Sequence, residues 1–335
     1  MLHPPVTIPI TFVRGMLSGT PANAQACDAM LTDAGIAPEL LLQISARVTA
    51  DQYAALFRVL IDRHDDEGLG FFSRALKRGS YALMARSALG APDLATAVRY
   101  LARTFRLLQD DALVVPVRDG AMAGLALRFH DTSVERPAFM HELLLRVFWR
   151  LLTWLAASPL PATRFDFRFQ TPSYANSYGK VFPAPLRFGQ PHSAFWFDAA
   201  RLQDPVRRDE AALRIFLLDA QANIIAPRRT DDGVSVRVRG HLQKTQPAWP
   251  DLVATAQAMH MATSTLQRRL DSEGTSFQAL KDELRRDTAI VRLNTSAMPL
   301  AALASELGFA DSAAFQRAFK TWTGSAPGAY RRGDA

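Results

Sequence analysis

The chain has 335 residues, long for one domain and comfortable for two. Hydrophobic residues make up 48% and charged residues 21%, which excludes a disordered tail, a collagenous repeat or a polar low-complexity chain. Lys+Arg 39 against Asp+Glu 32 gives a net charge of +7, compatible with a polyanionic partner, while the lone Cys27 excludes a disulfide framework or a CxxC centre and fits a reducing cytosol.

At the start, Met1-Leu2-His3-Pro4-Pro5 carries no basic segment, and the apolar patch Val6–Val13 is broken by Pro9, so no export signal is read. Apolar residues then recur at helical spacing over Ala22–Leu31, Ala50–Ile61, Leu94–Leu108 and Phe139–Ala156. Cys27, inside the first of these, is expected to be a small core residue. Leu143–Leu160 is the most hydrophobic stretch, but Arg146 and Arg150 would each cost ~2.5–3.5 kcal/mol near the middle of a membrane span. It is expected to be a core helix with a narrow polar stripe.

Strand-like runs occupy Ala112–Val117, Ala123–Phe129, Arg164–Phe169, Leu186–Phe188 and Ala194–Phe197. The alternation Phe165-Asp166-Phe167-Arg168-Phe169 is the signature of a half-buried strand. Residues 1–225 therefore read as an α+β domain: helices first, then a small antiparallel sheet crossed by the 139–156 helix. Residues 226–233, Ala226-Pro227-Arg228-Arg229-Thr230-Asp231-Asp232-Gly233, combine Pro, Gly and mixed charge without an apolar period, and read as a linker.

Residues 234–332 read as the second domain; from Asp251 to Tyr330 every segment is helical in period, and the stretch repeats itself. Leu252, Ala256 and Met259 recur as Leu300, Ala304 and Leu307; Leu266, Gln267, Arg268 and Leu270 recur as Phe315, Gln316, Arg317 and Phe319. Each unit, about 251–270 and 299–320, reads as helix, tight turn and second helix. Asp251 stands at an N-cap position and Pro299 at the equivalent place. With Leu266 and Leu270 inward, Ser264, Gln267 and Arg268 face out. Gln can bond bidentately to adenine and Arg to guanine, which suits a helix lying in a major groove. Phe277, Leu280, Leu284 and Val291 mark an amphipathic helix from Ser276 to Leu293 between the units. At ~1.5 Å per residue it spans roughly 25 Å. Such a spacer suits two reading helices about one DNA turn, ~34 Å, apart.

Catalytic and metal signatures fail on spacing. His141-Glu142 opens like a zinc-protease helix, but Leu145 occupies the place of the second ligand, and a core or surface pair is expected. His64-Asp65-Asp66-Glu67 points its side chains in several directions and reads as a solvated loop rather than a cation site. Phe165/Phe167/Phe169 and Phe195/Trp196/Phe197 read as sheet core before effector pocket. Arg146 and Arg150, cations on a mostly buried helix, want acidic partners or an anionic ligand.

The segment Leu266-Gln267-Arg268-Arg269-Leu270, with Glu273-Gly274-Thr275-Ser276-Phe277, resembles the first half of the AraC/XylS DNA-binding domain. The likeness continues through Leu307-Gly308-Phe309, Ala314-Phe315-Gln316-Arg317-Ala318-Phe319-Lys320 and Trp322-Thr323-Gly324-Ser325-Ala326-Pro327 to Tyr330-Arg331. The resemblance implies DNA contacts from Ser264, Gln267 and Arg268, and from Ser312, Ala313, Gln316 and Arg317. Ala262 stands where the family usually has a capping Ser, which predicts a reading helix without a side-chain cap. Tyr178-Gly179-Lys180-Val181-Phe182, Pro185-Leu186-Arg187-Phe188, Phe195-Trp196-Phe197 and Leu202-Gln203-Asp204-Pro205 resemble the arabinose-binding-like effector domain of a subgroup of these regulators.

The expectation is thus an α+β sensing domain followed by an all-α domain with two helix-turn-helix units. The resemblance implies a cytoplasmic, nucleoid-associated regulator, not an enzyme, with no membrane partner. It reads double-stranded promoter or operator DNA, answers a small-molecule effector, for which Arg146 and Arg150 are the candidate contacts, and works with RNA polymerase, as a homodimer in one reading. No metal site or cofactor is expected. The alternative is constitutive DNA binding, with the first domain a dimerisation scaffold or an enzyme-derived module.

Overall fold

Polar side chains set where several helices begin, by accepting an amide that the first turn leaves orphaned. Asn23, Asp93, Asp251, Ser276 and Asp311 take up the backbone N–H of Ala26, Thr96, Ala254, Ala279 and Ala314. The structure is a computed structural model that describes residues 7–131, 134–175, 178, 181–218, 220 and 233–331. Its helices are α1 (Ile10–Leu17), α2 (Ala24–Asp33), α3 (Ala50–His64), α4 (Ser80–Leu89), α5 (Leu94–Leu108), α6 (Ala138–Ala156) and α7 (Glu210–Leu218). They continue as α8 (Val234–Lys244), α9 (Leu252–Ala258), α10 (Thr263–Ser272), α11 (Phe277–Thr295), α12 (Leu300–Glu306) and α13 (Ser312–Thr323). The strands are β1 (Thr7–Pro9), β2 (Arg47–Thr49), β3 (Ala112–Asp119), β4 (Met122–Phe129), β5 (Arg164–Asp166), β6 (Leu186–Arg187) and β7 (Ser193–Asp198).

The chain forms two compact units. One gathers Thr11–Ala34 and Ala54–Pro227; the other gathers Met1–Ile10, Gly35–Tyr53 and Arg228–Ala335. This differs from the sequence expectation, which kept residues 1–225 together. Two short segments from the start of the chain instead join the unit that holds the repeated helix pairs. The expected linker 226–233 lies outside the described residues except for Gly233, as do Gly179 and Lys180.

In the first unit the sheet order is β3-β4-β7-β5-β6, with every pair antiparallel except β5 and β6. Period-two alternation sorts its faces. Phe165, Phe195 and Phe197 are almost completely buried on one face, and the core helix α6 packs against β4 and β7. Ala126, Ala194 and Trp196 form a smaller cluster on the other, where Trp196 Nε1 donates to Asp166 Oδ2 at 2.6 Å. The Phe165–Phe169 alternation persists as strand only to Asp166; beyond it Phe167 stacks on Tyr178 and Phe188.

Of three expectations for polar groups in this unit, one is narrowed and two change. His141 and Glu142 are core residues: His141 Nδ1 lies 2.9 Å from Ser193 Oγ, between the rings of Phe129 and Phe169, and Glu142 accepts from Tyr174 and Tyr178. The His64–Glu67 segment is not simply solvated. Asp66 is buried and accepts the amides of Gly68, Gly70 and Leu76, because a buried carboxylate needs such donors. Cys27 lies half-buried on α2 rather than in the core.

In the second unit β1 pairs antiparallel with β2, burying Ile8 and Val48. Gln52 accepts the Thr49 amide and donates to Asn294 Oδ1 at 2.7 Å and to the Gly35 carbonyl, while the Arg47 amide donates to the Tyr330 hydroxyl. Asp287 on α11, almost wholly buried, accepts from Thr7, Arg239 and Arg286. Along α11 the buried apolar residues are Leu280, Leu284, Ala289, Ile290 and Leu293; the expected Phe277 and Val291 are only half-buried. Among the described residues no helix is long and apolar enough to cross a membrane.

Candidate nucleic-acid interface

The pairs α9–α10 and α12–α13 are built alike. Ala256 and Met259 face Leu266 and Leu270 in the first, all buried; Ala304 and Leu307 face Phe315 and Phe319 in the second, all buried. The small alanines let the crossing helices approach closely. Both turns close in the same way: Met261 N donates to Ala256 O, and Phe309 N to Ala304 O, each at 2.9 Å. Each turn needs a left-handed residue, supplied by Gly308 at φ 72° and by His260 at φ 55°.

With those side chains inward, helical periodicity turns their neighbours to solvent. Ser264, Gln267 and Arg268 on α10 are exposed, as are Ala313, Gln316 and Arg317 on α13; Ser312 is half-buried. Gln316 Nε2 donates to Ser312 Oγ at 3.2 Å, one turn back along the helix. The structure therefore presents all seven sequence-predicted DNA residues at least partly to solvent, in two equivalent sets. Arg269 and Lys320 stand exposed on the same two helices. The repeat does not single them out, since Arg269 aligns with Ala318 and Lys320 with Asp271.

Charge pairing separates frame from face. Within this unit Arg239 pairs with Glu283 and Asp287, Arg286 with Asp287, and Arg292 with Glu306. Among the described residues Arg268 and Arg317 enter no ion pair, so their guanidinium forks keep donors for phosphate or a guanine edge. The helix starts also differ. Ala262 gives α10 no side-chain cap, as its sequence predicts, which leaves first-turn amides open to an anion. Asp311 caps α13 through the Ala314 amide at 2.7 Å and places a carboxylate there. Phosphate is favoured at the first start and repelled at the second.

The helix between the pairs, α11, has 19 residues and so runs about 28 Å at ~1.5 Å per residue. Glu273, just after α10, accepts the Val234 and Ser235 amides at 2.8 and 2.9 Å and so caps α8. Burial opposes its charge, yet these bonds hold its carboxyl below the usual range. Trp249 Nε1 donates to the Glu306 carbonyl, and the Arg285 guanidinium lies over the Trp249 and Phe309 rings. Sequence reading missed this bracing, since each contact joins segments far apart in the chain.

The two candidate effector residues sit on α6 and are buried. The Arg146 guanidinium donates to the Val181 carbonyl and lies against the faces of Trp149 and Phe182. Protein groups therefore already meet its charge. Arg150 is near enough to Tyr81 for its charge to act on that hydroxyl. Neither arginine lines the cavity bounded by Phe57, Phe105 and Phe148.

Comparison with known proteins adds to this geometry. Residues 25–206 match the family model described as the arabinose-binding domain of AraC transcription regulator, N-terminal, and residues 255–333 match a helix-turn-helix domain. The chain is similar to the ornithine utilization regulator of Pseudomonas aeruginosa, 25% identical over 326 residues, covering 97% of this chain and 96% of that one. It is also similar to the transcriptional regulator VqsM of the same species, 32% identical over 99 residues, 30% of each chain. Among solved structures, that of the transcriptional regulator CdpR from Pseudomonas aeruginosa aligns over 96% of this chain and 98% of that one, with 18% identity and a TM-score of 0.33.

Proposed function

This chain belongs to the AraC family of transcription regulators, and on that premise we propose that it reads two successive major grooves and answers a small molecule. It is a DNA-binding transcription regulator. In the proposed arrangement Ser264, Gln267 and Arg268 address one half-site, and Ser312, Ala313, Gln316 and Arg317 the other. Ala313 has no hydrogen-bonding side chain, so the second half-site rests on Gln316 and Arg317. The observation that carries this reading is the repeat of an exposed Gln-Arg pair beside two buried residues on each second helix.

The unit formed by Thr11–Ala34 and Ala54–Pro227 is proposed to sense the effector. Differential affinity of that effector for two arrangements of the protein drives the response. The regulator is proposed to act as an activator in contact with RNA polymerase, as a homodimer, without catalytic activity of its own. An amino-acid signal, suggested by the name of the Pseudomonas relative, is one class to screen.

Selection of duplexes bound by the full chain from a random pool tests the groove reading. The expected motif has two blocks centred about 10 base pairs apart, one helical turn. A single block, or enrichment without sequence preference, would overturn it. Thermal shift and operator titration against a broad metabolite panel test the effector half.

A further inference from the structure

Inside the unit formed by Thr11–Ala34 and Ala54–Pro227, helices α3, α4, α5, α6 and α7, with the 67–79 loop, surround a cavity of about 240 Å³. Its wall is aromatic and aliphatic, with Phe57, Phe72, Met84, Phe105, Leu144 and Phe148 among its residues. Three polar side chains reach the lining: Glu67, Arg78 and Tyr81. Two are engaged elsewhere. The Glu67 carboxylate accepts the Gly79 and Tyr81 amides at 2.8 and 2.7 Å, and exposed Arg78 pairs with Asp62.

Tyr81 is different. It is only 9% exposed, and among the described residues its buried hydroxyl has no hydrogen-bond partner. Buried polar groups in folded proteins are almost always bonded, so such an exception calls for a functional account. Burial raises the pKa of this phenol despite the nearby Arg150 charge, so the hydroxyl keeps its proton and stands ready as a donor.

We propose that this cavity is the effector site and takes a small apolar molecule, a ring with a short substituent, bearing one hydrogen-bond acceptor for the Tyr81 hydroxyl. The proposal rests on the effector-responsive reading above and names its ligand class. Size sets the scale: an apolar cavity of ~150 Å³ holds benzene, whereas drug-sized ligands occupy ~300–1,000 Å³. Chemistry sets the class. A sugar carries a hydroxyl on nearly every carbon, and this lining cannot satisfy them. An amino acid such as ornithine, with two ammonium groups and a carboxylate, would lose its hydration against phenylalanine and methionine with too little in return.

The test uses the full chain with four probes: acetophenone, ethylbenzene, L-arabinose and L-ornithine, read by calorimetric titration and melting temperature. Acetophenone is expected to bind saturably and raise the melting temperature. Ethylbenzene, similar in shape but without the acceptor, is expected to bind about tenfold more weakly. Tyr81→Phe should fold as well as the parent and bind both aromatics with ethylbenzene's affinity. Equal affinity of the two aromatics for the parent chain would overturn the role of Tyr81. Failure of both to bind while arabinose or ornithine does would overturn the ligand class and leave the effector reading standing. If no compound of a broad metabolite panel changed melting or operator affinity, the effector reading would fall, and this site with it.

Discussion

The Thr7 hydroxyl donates to Asp287 Oδ1 at 2.6 Å, joining residues 280 positions apart. The same oxygen of Thr7 accepts from Arg47 Nε at 2.7 Å, and Asp287 also takes Arg239 Nη2 at 2.9 Å and Arg286 Nη2 at 3.0 Å. Burial pushes the Arg47 guanidinium down to about 10, a mark of how little water reaches this network. Removing one member leaves charges buried without a counterpart. Asp287→Ala is expected to cost about 3–5 kcal/mol, and Thr7→Val about 1–3 kcal/mol. Hydrogen exchange of the Phe277–Thr295 amides reads the loss directly. Unchanged protection in both variants would show that the network does not hold the helix.

Arg268→Ala and Arg317→Ala are each expected to lose about 1–3 kcal/mol of operator discrimination, with a smaller loss on unrelated DNA. Gel-shift titration at fixed salt measures this. Full discrimination in both variants would refute their reading role.

The two turns make opposite predictions. His260 holds φ 55° where the second helix pair has Gly308, so His260→Gly is expected to stabilise the reading unit by up to about 1 kcal/mol. Gly308→Ala would bring a Cβ within 2.9 Å of Trp249 Cδ1 in a left-handed backbone, and is expected to cost about 1–3 kcal/mol. Denaturant midpoints decide; equal shifts of one sign would contradict the assignment.

Adjacent His141 and Glu142 titrate against each other. Burial pushes the Glu142 carboxyl up to about 7 from 4.5, so from pH 4.5 to 7 the folded chain keeps a proton that the unfolded chain has lost. Stability from this group is present below pH 4.5 and is lost as pH rises through 7. Burial, helped by the Arg168 and Arg136 charges, pushes the His141 imidazole down to about 4 from 6.5, so its contribution is present above pH 6.5 and lost as pH falls through 4. The slopes largely offset between them. Relative to the parent chain, Glu142→Gln should therefore gain about 3 kcal/mol of stability between pH 4.5 and pH 7. Urea unfolding at pH 5 and pH 8 would expose an error: a gap independent of pH.

Legibility in the sequence followed the range of the interactions. Leu94–Leu108 has the bounds its apolar spacing predicts, because Asp93 caps it and its own stripe buries Leu101 and Phe105. The larger sheet's strands were visible as strand-like runs, with alternation in Phe165–Phe169. The β1–β2 pair was not: each strand has three residues, and pairing them requires a contact across 40 positions. Gln267, Arg268, Gln316 and Arg317 were readable as an outward set because helical phase places them there. The cavity was not, since its wall converges from five helices and a loop. Glu67 looked like one member of a solvated run until its two amide bonds were seen.

The threading of the reading unit has a consequence for how the protein is made. Thr7 and Arg47 leave the ribosome long before Arg239 and Asp287, and the whole of Ala54–Pro227 is synthesised in between. During that interval the early segments have no carboxylate to meet, while the intervening residues already possess their own core. The unit formed by Thr11–Ala34 and Ala54–Pro227 is therefore expected to fold first. The reading unit closes last, around peptide made at the outset, and a fragment cut at residue 233 would start without the strands that seal its central helix.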